Sequence, residues 1–253
     1  MSDAVLLRAP AKLTLTLKVV GTRDDGYHLL ESEMLSLDLA DEIELVEGPR
    51  SLEVAGNDEV PADASNLVVR AMELCGLEAA VTLHKVIPAG GGLGGGSSDA
   101  AAILRHAGFS DLEAASRLGG DVPFCLVGGR AMVRGIGEQV EPLAPRPYTA
   151  VLALLDLAVS TPEVYAAYDQ LPEDLRHHER NDLTHAAERV SPALGETRRW
   201  LEQRFARPFW LAGSGSTMFV EATGAELGLD GAGARLEGPS GVVHLLEVHE
   251  ARP

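Results

Sequence analysis

Leucine or valine at positions 13, 15, 17 and 19 alternates with Lys12, Thr14, Thr16 and Lys18, the two-residue period of a strand with one buried face. Lys12 and Thr14 are thereby set on the same side. GTRDDGYH follows, a turn by its glycine and aspartate content, and MLSLDL and EIELVE read as two further strands. Through SNLVVRAMELCG the apolar spacing becomes helical. Ser65 is its expected N-cap, Leu67, Ala71, Leu74 and Cys75 share a face, and Gly76 ends it. AVTLHKVIP is a strand stopped by Pro88, and helices are predicted from about Ser98 to Ala107, closed by Gly108, and within DLEAASRLGG. GGDVPFCLVGGRAMVRGIGEQVEPL returns to strand texture, with Cys125 in a buried strand.

The proline cluster PLAPRPYT, 142 to 149, marks a connection and divides the chain into units 1–148 and 149–253. Beyond it, VLALLDLAV reads as a strand and EVYAAYDQL as a short helix. ALGETRRWLEQRFA carries Leu194, Leu201 and Phe205 on one helical face. FWLAGSGSTMFVEA is two strands around a glycine-serine turn, and VVHLLEVHE is a last strand. Strands and helices mix in each half without strict alternation, which predicts an α+β fold.

Composition adds three constraints. With 253 residues, 45% of them hydrophobic, the chain can bury a core. Its longest apolar run, TAVLALLDLAV, is broken by Asp156 and falls short of the roughly 20 residues of a membrane helix. With no basic segment before an apolar one at the N-terminus, a cytoplasmic location and no membrane partner are expected. Cys75 and Cys125 lack metal-ligand spacing and read as reduced core residues. The formal charge of -17 sets the long-range field against nucleic acid and anionic membranes, so any polyanion must be held by a local device. Only Lys12, Lys18 and Lys85 are lysines among 21 basic residues. A retained lysine points to a place that needs a compact ammonium and has no room for a guanidinium. Lys18 is read as an exception, a solvated strand residue.

One such local device is PAGGGLGGGSSD, residues 88 to 99. A flexible tether would not carry Leu93 in its middle or join a strand directly to a helix. Gly90, Gly92 and Gly95 satisfy GxGxxG, but that match is nearly automatic in so glycine-rich a run, and the acid about 20 residues on lies between Gly120 and Val122, not at a strand end. The lysine of a Walker loop is missing. What remains is a loop whose backbone N–H groups approach phosphate oxygens, with a helix N-terminus behind it. Ser97 and Ser98 offer hydroxyl donors or a ligand for magnesium, and Asp99, placed in the first helical turn, is expected to tolerate a nearby phosphate through a bridging magnesium ion.

APAKLTL, RDDGYHLL, SNLVVRA, KVIPAGGGLGGGSSDAA, LGGDVPF, GIGEQVEPL, STPEVYAAYD, NDL at 181 to 183 and GSGST at 213 to 217 together resemble the GHMP small-molecule kinases over nearly the whole chain. DGYH with GGDVPF resembles the branch whose acceptor carries a cytidine diphosphate. The resemblance implies an N-terminal domain like domain 2 of ribosomal protein S5 and a C-terminal ferredoxin-like α/β sandwich. It implies ATP-dependent phosphorylation of the 2-hydroxyl of a cytidylated polyol in non-mevalonate isoprenoid synthesis, with ATP and Mg2+ required. It assigns Lys12 and Asp121 to catalysis, and Pro88, Ala89, Gly90, Gly91, Gly92, Leu93, Gly94, Gly95, Gly96, Ser97 and Ser98 to ATP. It assigns Tyr27 and His28 to the cytosine end and Thr161 to a position near the substrate. Thr14 stands where the family usually has asparagine, so an amide contact is replaced by a hydroxyl or lost. The segment between Leu104 and Leu118 is shorter than the family pattern. Kinases for mevalonate, phosphomevalonate or homoserine fit less well, because those acceptors have no base to meet DGYH. A non-catalytic nucleotide sensor fits less well because Lys12 and Asp121 are both kept. A monomer or weak homodimer is expected.

Overall fold

The computed structural model describes residues 4–57, 59–177, 179–231 and 233–251. Two long strands organise its first half. β1 (Val5–Thr22) and β2 (His28–Glu47) pair antiparallel, with register shifts between Pro10 and Lys12, Thr14 and Thr16, and Val19 and Gly21. Gly26, at φ +88°, turns the chain between them. The free edge of β2 is shared. Its first half pairs β5 (Arg130–Gly135) and its last residues pair β4 (Ala79–His84). β3 (Ser51–Ala55) and β6 (Gln139–Pro142) extend the sheet on either side. One face of this sheet is covered by α1 (Leu67–Cys75), α2 (Gly95–His106), α3 (Leu112–Ser116) and α4 (Val122–Val127), with Val68, Met72, Ile103 and Phe124 packed against Val81 and Leu83.

The second half is antiparallel. Its sheet runs β10 (Gly233–Gly238), β11 (Gly241–His249), β7 (Thr149–Leu155), β9 (Met218–Val220) and β8 (Trp210–Leu211). Against it lie α5 (Thr161–Asp169), α7 (Thr184–Val190) and α8 (Pro192–Phe205), with Val164, Leu183, Leu194 and Leu201 meeting Val151 and Met218, while the short α6 (Glu173–Arg176) buries no residue. A third cluster, including Leu13, Leu35, Leu93, Leu152 and Phe219, joins β1 and β2 to the second sheet. The site described below sits over this joint.

Several elements depart from the sequence reading. The stretch VPFCLV is the helix α4, not a strand. Its residues 122 to 126 are all buried, and a short apolar run without polar alternation carries no period to tell helix from strand. MLSLDL and EIELVE are one strand, β2, which passes through a buried Asp41. α1 is capped by Asn66, whose Oδ1 accepts from the Val68 amide at 2.9 Å, not by Ser65. Its buried face is Val68, Ala71 and Met72, while Leu74 is exposed. α2 begins at Gly95, three residues before the expected Ser98. Lys18 is not simply solvated: its ammonium meets the buried carboxylate of Asp182 at 3.0 Å. Cys75 and Cys125 are free thiols, as expected. Among the described residues no helix is long and apolar enough to cross a membrane.

Candidate active site

The glycine run is a fixed structure. Leu93, its one large side chain, is 1% exposed in the cluster between the two sheets. Cutting such a side chain back to alanine costs about 2–5 kcal/mol, so the loop is anchored at its centre. On either side of that anchor the backbone needs glycine. Gly92, at φ +76°, lies so close to the GSGST turn that an added Cβ would stand 2.5 Å from the Ala212 carbonyl oxygen. Gly94, at φ +67°, would drive a Cβ to 2.7 Å from Cγ of Lys12. The turn answers with its own hydrogen bond, the Thr217 amide donating to the Gly91 carbonyl at 3.2 Å. The third motif therefore buttresses the second.

Gly94 is the N-cap of α2, and the amides of a first helical turn have no intrahelical acceptor. They and the loop face a cavity of about 420 Å³ whose lining includes Pro88, Ala89 and Gly90 through Ser97, together with Asn66, Lys85, Asp99, Val159 and Thr161. Ser98 does not line it. Its hydroxyl is buried and donates to the Pro10 carbonyl at 2.6 Å, tying the helix to β1. The predicted loop residues thus converge on one cavity, except that Ser98 serves from behind.

Lys12 stands at the end of this loop. Its amide donates to the Leu93 carbonyl at 2.9 Å, and its ammonium donates to Oγ1 of Thr14 at 3.0 Å and lies 3.2 Å from Oδ2 of Asp121. The Lys12 side chain is 5% exposed, whereas that of Asp121 is 34% exposed. A nearly dry cation therefore holds a carboxylate that still reaches solvent. Asp121 is aimed by its position at the N-cap of α4, where Pro123 sets the first turn. The hydroxyl of Thr14 takes up one of the ammonium's donors.

The DGYH turn gives Tyr27 and His28 different surroundings. Tyr27 is 62% exposed, with its ring open to the solvent. His28 is nearly enclosed: Nε2 is 2.8 Å from Oδ1 of Asp169, and its ring stacks on Tyr165 with centroids 4.8 Å apart and 25° between planes. Tyr168 meets the imidazole edge-on at 5.9 Å. Burial, and then the charge of Asp121, push the Tyr165 phenol up. Thr161 opens α5 and shares a 2.7 Å hydrogen bond with the hydroxyl of Ser214 in the GSGST turn. Asn181 of NDL holds that turn from below, donating to the carbonyls of Leu211 at 2.9 Å and Gly213 at 2.7 Å. Tyr165, Asp169 and Asn181 lie in the motifs STPEVYAAYD and NDL, but the sequence reading assigned none of them the role its long-range contacts give it.

Asp99 is not where the sequence reading placed it. It is the fifth residue of α2, outside the first turn, and its buried carboxylate turns inward to Lys85 at 2.8 Å. Lys85 is held on its other side by Asp41 at 2.5 Å. Burial raises the Asp99 carboxyl to about 7; Lys85 works against that rise and the charge of Asp41 adds to it. Burial alone would lower Lys85, but the two carboxylates outweigh it and hold the ammonium above its ordinary value. The contact with Lys85 engages Oδ2 of Asp99, while Oδ1 has no hydrogen-bond partner. Among the described residues no three His, Cys, Asp or Glu side chains converge to hold a metal.

A glycine cradle at a helix N-terminus, a Lys–Asp pair at its end and a fold of two joined α+β halves together define a small-molecule kinase of the GHMP class. Residues 64–129 match the family model for the GHMP kinases N terminal domain. A 4-diphosphocytidyl-2-C-methyl-D-erythritol kinase from Paracoccus denitrificans (strain Pd 1222) is 39% identical over 235 residues, 83% of this chain and 84% of the relative. A crystal structure of a 4-(cytidine 5'-diphospho)-2C-methyl-D-erythritol kinase superposes with a TM-score of 0.70 at 32% identity, covering 96% of this chain and 99% of that one. A mevalonate kinase structure, at 12% identity and a TM-score of 0.61, shares the fold alone. The chain belongs to the 4-diphosphocytidyl-2-C-methyl-D-erythritol kinase family.

Proposed function

We propose that the chain transfers the γ-phosphoryl group of ATP to the 2-hydroxyl of 4-diphosphocytidyl-2-C-methyl-D-erythritol, in the non-mevalonate route to isoprenoid precursors. The observation that carries this reading is the ammonium of Lys12, set between Thr14 and the half-open carboxylate of Asp121 beside the glycine loop. Phosphoryl transfer needs positioning and charge neutralisation more than covalent help. The loop from Pro88 to Ser97 binds the phosphates through backbone amides and the helix N-terminus. That device works in a chain of charge -17, where distant side chains repel ATP.

Asp121 accepts the proton of the acceptor hydroxyl as its oxygen attacks phosphorus, and ADP leaves. Lys12 pairs with that carboxylate and, on the same ammonium, meets negative charge on the transferring group. Tyr27 offers an open ring face to the cytosine, and His28, held by Asp169 and Tyr165, offers its polar edge. Stacking on an aromatic ring contributes about 1–3 kcal/mol per base in nucleic-acid binders. Thr161 stands between the two ligands. Magnesium belongs to the substrate as MgATP, and no step is assigned to a protein-held ion. The unit 1–148 supplies the loop and the Lys–Asp pair, and 149–253 closes the acceptor side; the enzyme works in the cytoplasm.

An ADP-release assay tests the reading with 4-diphosphocytidyl-2-C-methyl-D-erythritol, mevalonate, homoserine and no acceptor. Turnover with the first alone is expected. Turnover with mevalonate or homoserine would move the acceptor assignment, and none with any acceptor would favour a nucleotide sensor.

A further inference from the structure

Lys85 lies one residue beyond β4, where the chain enters the glycine loop, and Asp99 lies in the first residues of α2, where the chain leaves it. Their 2.8 Å contact closes the neck of the loop. Asp41, on the neighbouring strand β2, completes the closure: its Oδ2 meets the Lys85 ammonium at 2.5 Å while its Oδ1 accepts from the amides of Val86 at 2.5 Å and Ile87 at 2.8 Å. All three side chains are at most 4% exposed. Burying three charges is expensive, and apolar side chains of similar size would hold a strand to a helix at least as well. An arrangement this costly is explained better by geometry it enforces than by stability it adds.

The room around the ammonium makes the same point. A Cβ on Gly95, the first residue of α2, would stand 3.1 Å from Nζ of Lys85 and 3.2 Å from Ile87. The helix backbone thus comes down directly onto the ammonium, and a planar guanidinium has no space there. Oδ1 of Asp99 has no hydrogen-bond partner, and Lys85 and Asp99 both line the loop's cavity.

We propose that Lys85 is a positioning residue for the nucleotide: its ammonium ties both ends of the glycine loop to Asp41 and Asp99 and so fixes the phosphate-facing amides of the loop and of α2. The proposal rests on the reading of that loop as the ATP site. It assigns Lys85 no contact with the reacting atoms. Loosening the neck therefore weakens ATP and leaves the acceptor and the chemical step nearly untouched.

The test uses the full chain carrying K85R or D99N. It measures KM for ATP, KM for 4-diphosphocytidyl-2-C-methyl-D-erythritol, kcat, calorimetric binding of a non-hydrolysable ATP analogue, and the melting midpoint. Both variants are expected to raise the ATP KM and the analogue Kd about tenfold or more, the scale set by misplacing binding groups by a fraction of an ångström. The acceptor KM and kcat stay within about threefold, since those groups lie elsewhere. If either single variant fails to fold, D41N/K85M/D99N removes all three charges together and carries the same readout. A lowered melting midpoint with an unchanged ATP KM would reduce the cluster to a structural ion pair and overturn the proposal. A wild-type enzyme that binds no analogue and releases no ADP would overturn the kinase reading itself, an outcome separate from any variant.

Discussion

Lys12 and Lys85 are both almost dry lysines beside aspartate, yet they are built for opposite purposes. Lys85 is closed on two sides by fully buried carboxylates, and nothing in its surroundings is left for a ligand to satisfy except one oxygen of Asp99. Lys12 has one carboxylate and one hydroxyl, and that carboxylate is a third exposed. A saturated cluster holds a backbone in place. An unsaturated pair with an open side is ready for charge that arrives with a substrate. The same two residue types become scaffold or chemistry according to how many of their bonds are completed inside the protein.

D121N breaks this contrast most sharply. It keeps the shape and removes the proton acceptor, so kcat is expected to fall about 100-fold or more while the melting midpoint stays near that of the wild type, a split read from steady-state rates beside a thermal melt. Near-normal turnover in a folded D121N would mean that the open pair is scaffold too. D169N acts one step further out. It weakens the partner that orients His28, and a rise of about threefold in the acceptor KM is expected, with the ATP KM unmoved, because a single exposed hydrogen bond contributes about 1 kcal/mol or less.

The smallest effect sharpens the other side. The Asp99 carboxyl is raised from 3.8 to about 7 in the folded chain, so proton binding there favours the fold. That contribution is present below the unfolded value of 3.8 and is lost as pH rises through about 7. D99N has no such proton, and its melting midpoint is expected to fall less between pH 5 and pH 8 than that of the wild type, by roughly a few degrees. Parallel profiles for the two proteins would mean that Asp99 ionises normally in its buried place.

The residues that the sequence made legible were those whose chemistry is local. The loop from Pro88 to Ser97 declared itself because close backbone approach demands glycine after glycine, and β1 because its alternation puts Lys12 and Thr14 on one face. Asp41 misled for a physical reason. Aspartate is poorly suited to strands, so Ala40 and Asp41 separated MLSLDL from EIELVE in the reading, whereas the strand continues there to serve Lys85, 44 residues on. The helix at VPFCLV was hidden because burial on all sides erases the amphipathic period. Asp169 and Tyr165 lie in the motif STPEVYAAYD, but their pairing with His28 was invisible because it spans more than a hundred residues, and single-chain spacing has no record of that distance. The retained-lysine argument fared better for Lys85 and Lys12, each wedged against glycine backbone, than the reading of Lys18 as a solvated residue, since its ammonium seeks out Asp182.

The scarcity of lysine also has a practical side. Of the three, only Lys18 has a side chain that reaches the solvent appreciably, at 38% against 5% and 4% for Lys12 and Lys85. Among side-chain amines, dyes or surfaces that couple through activated esters would therefore find Lys18 and pass over Lys12 and Lys85. Lys18 is thus the expected point of attachment for such a reagent, a consequence of a chain that carries 18 arginines and three lysines among its 21 basic residues.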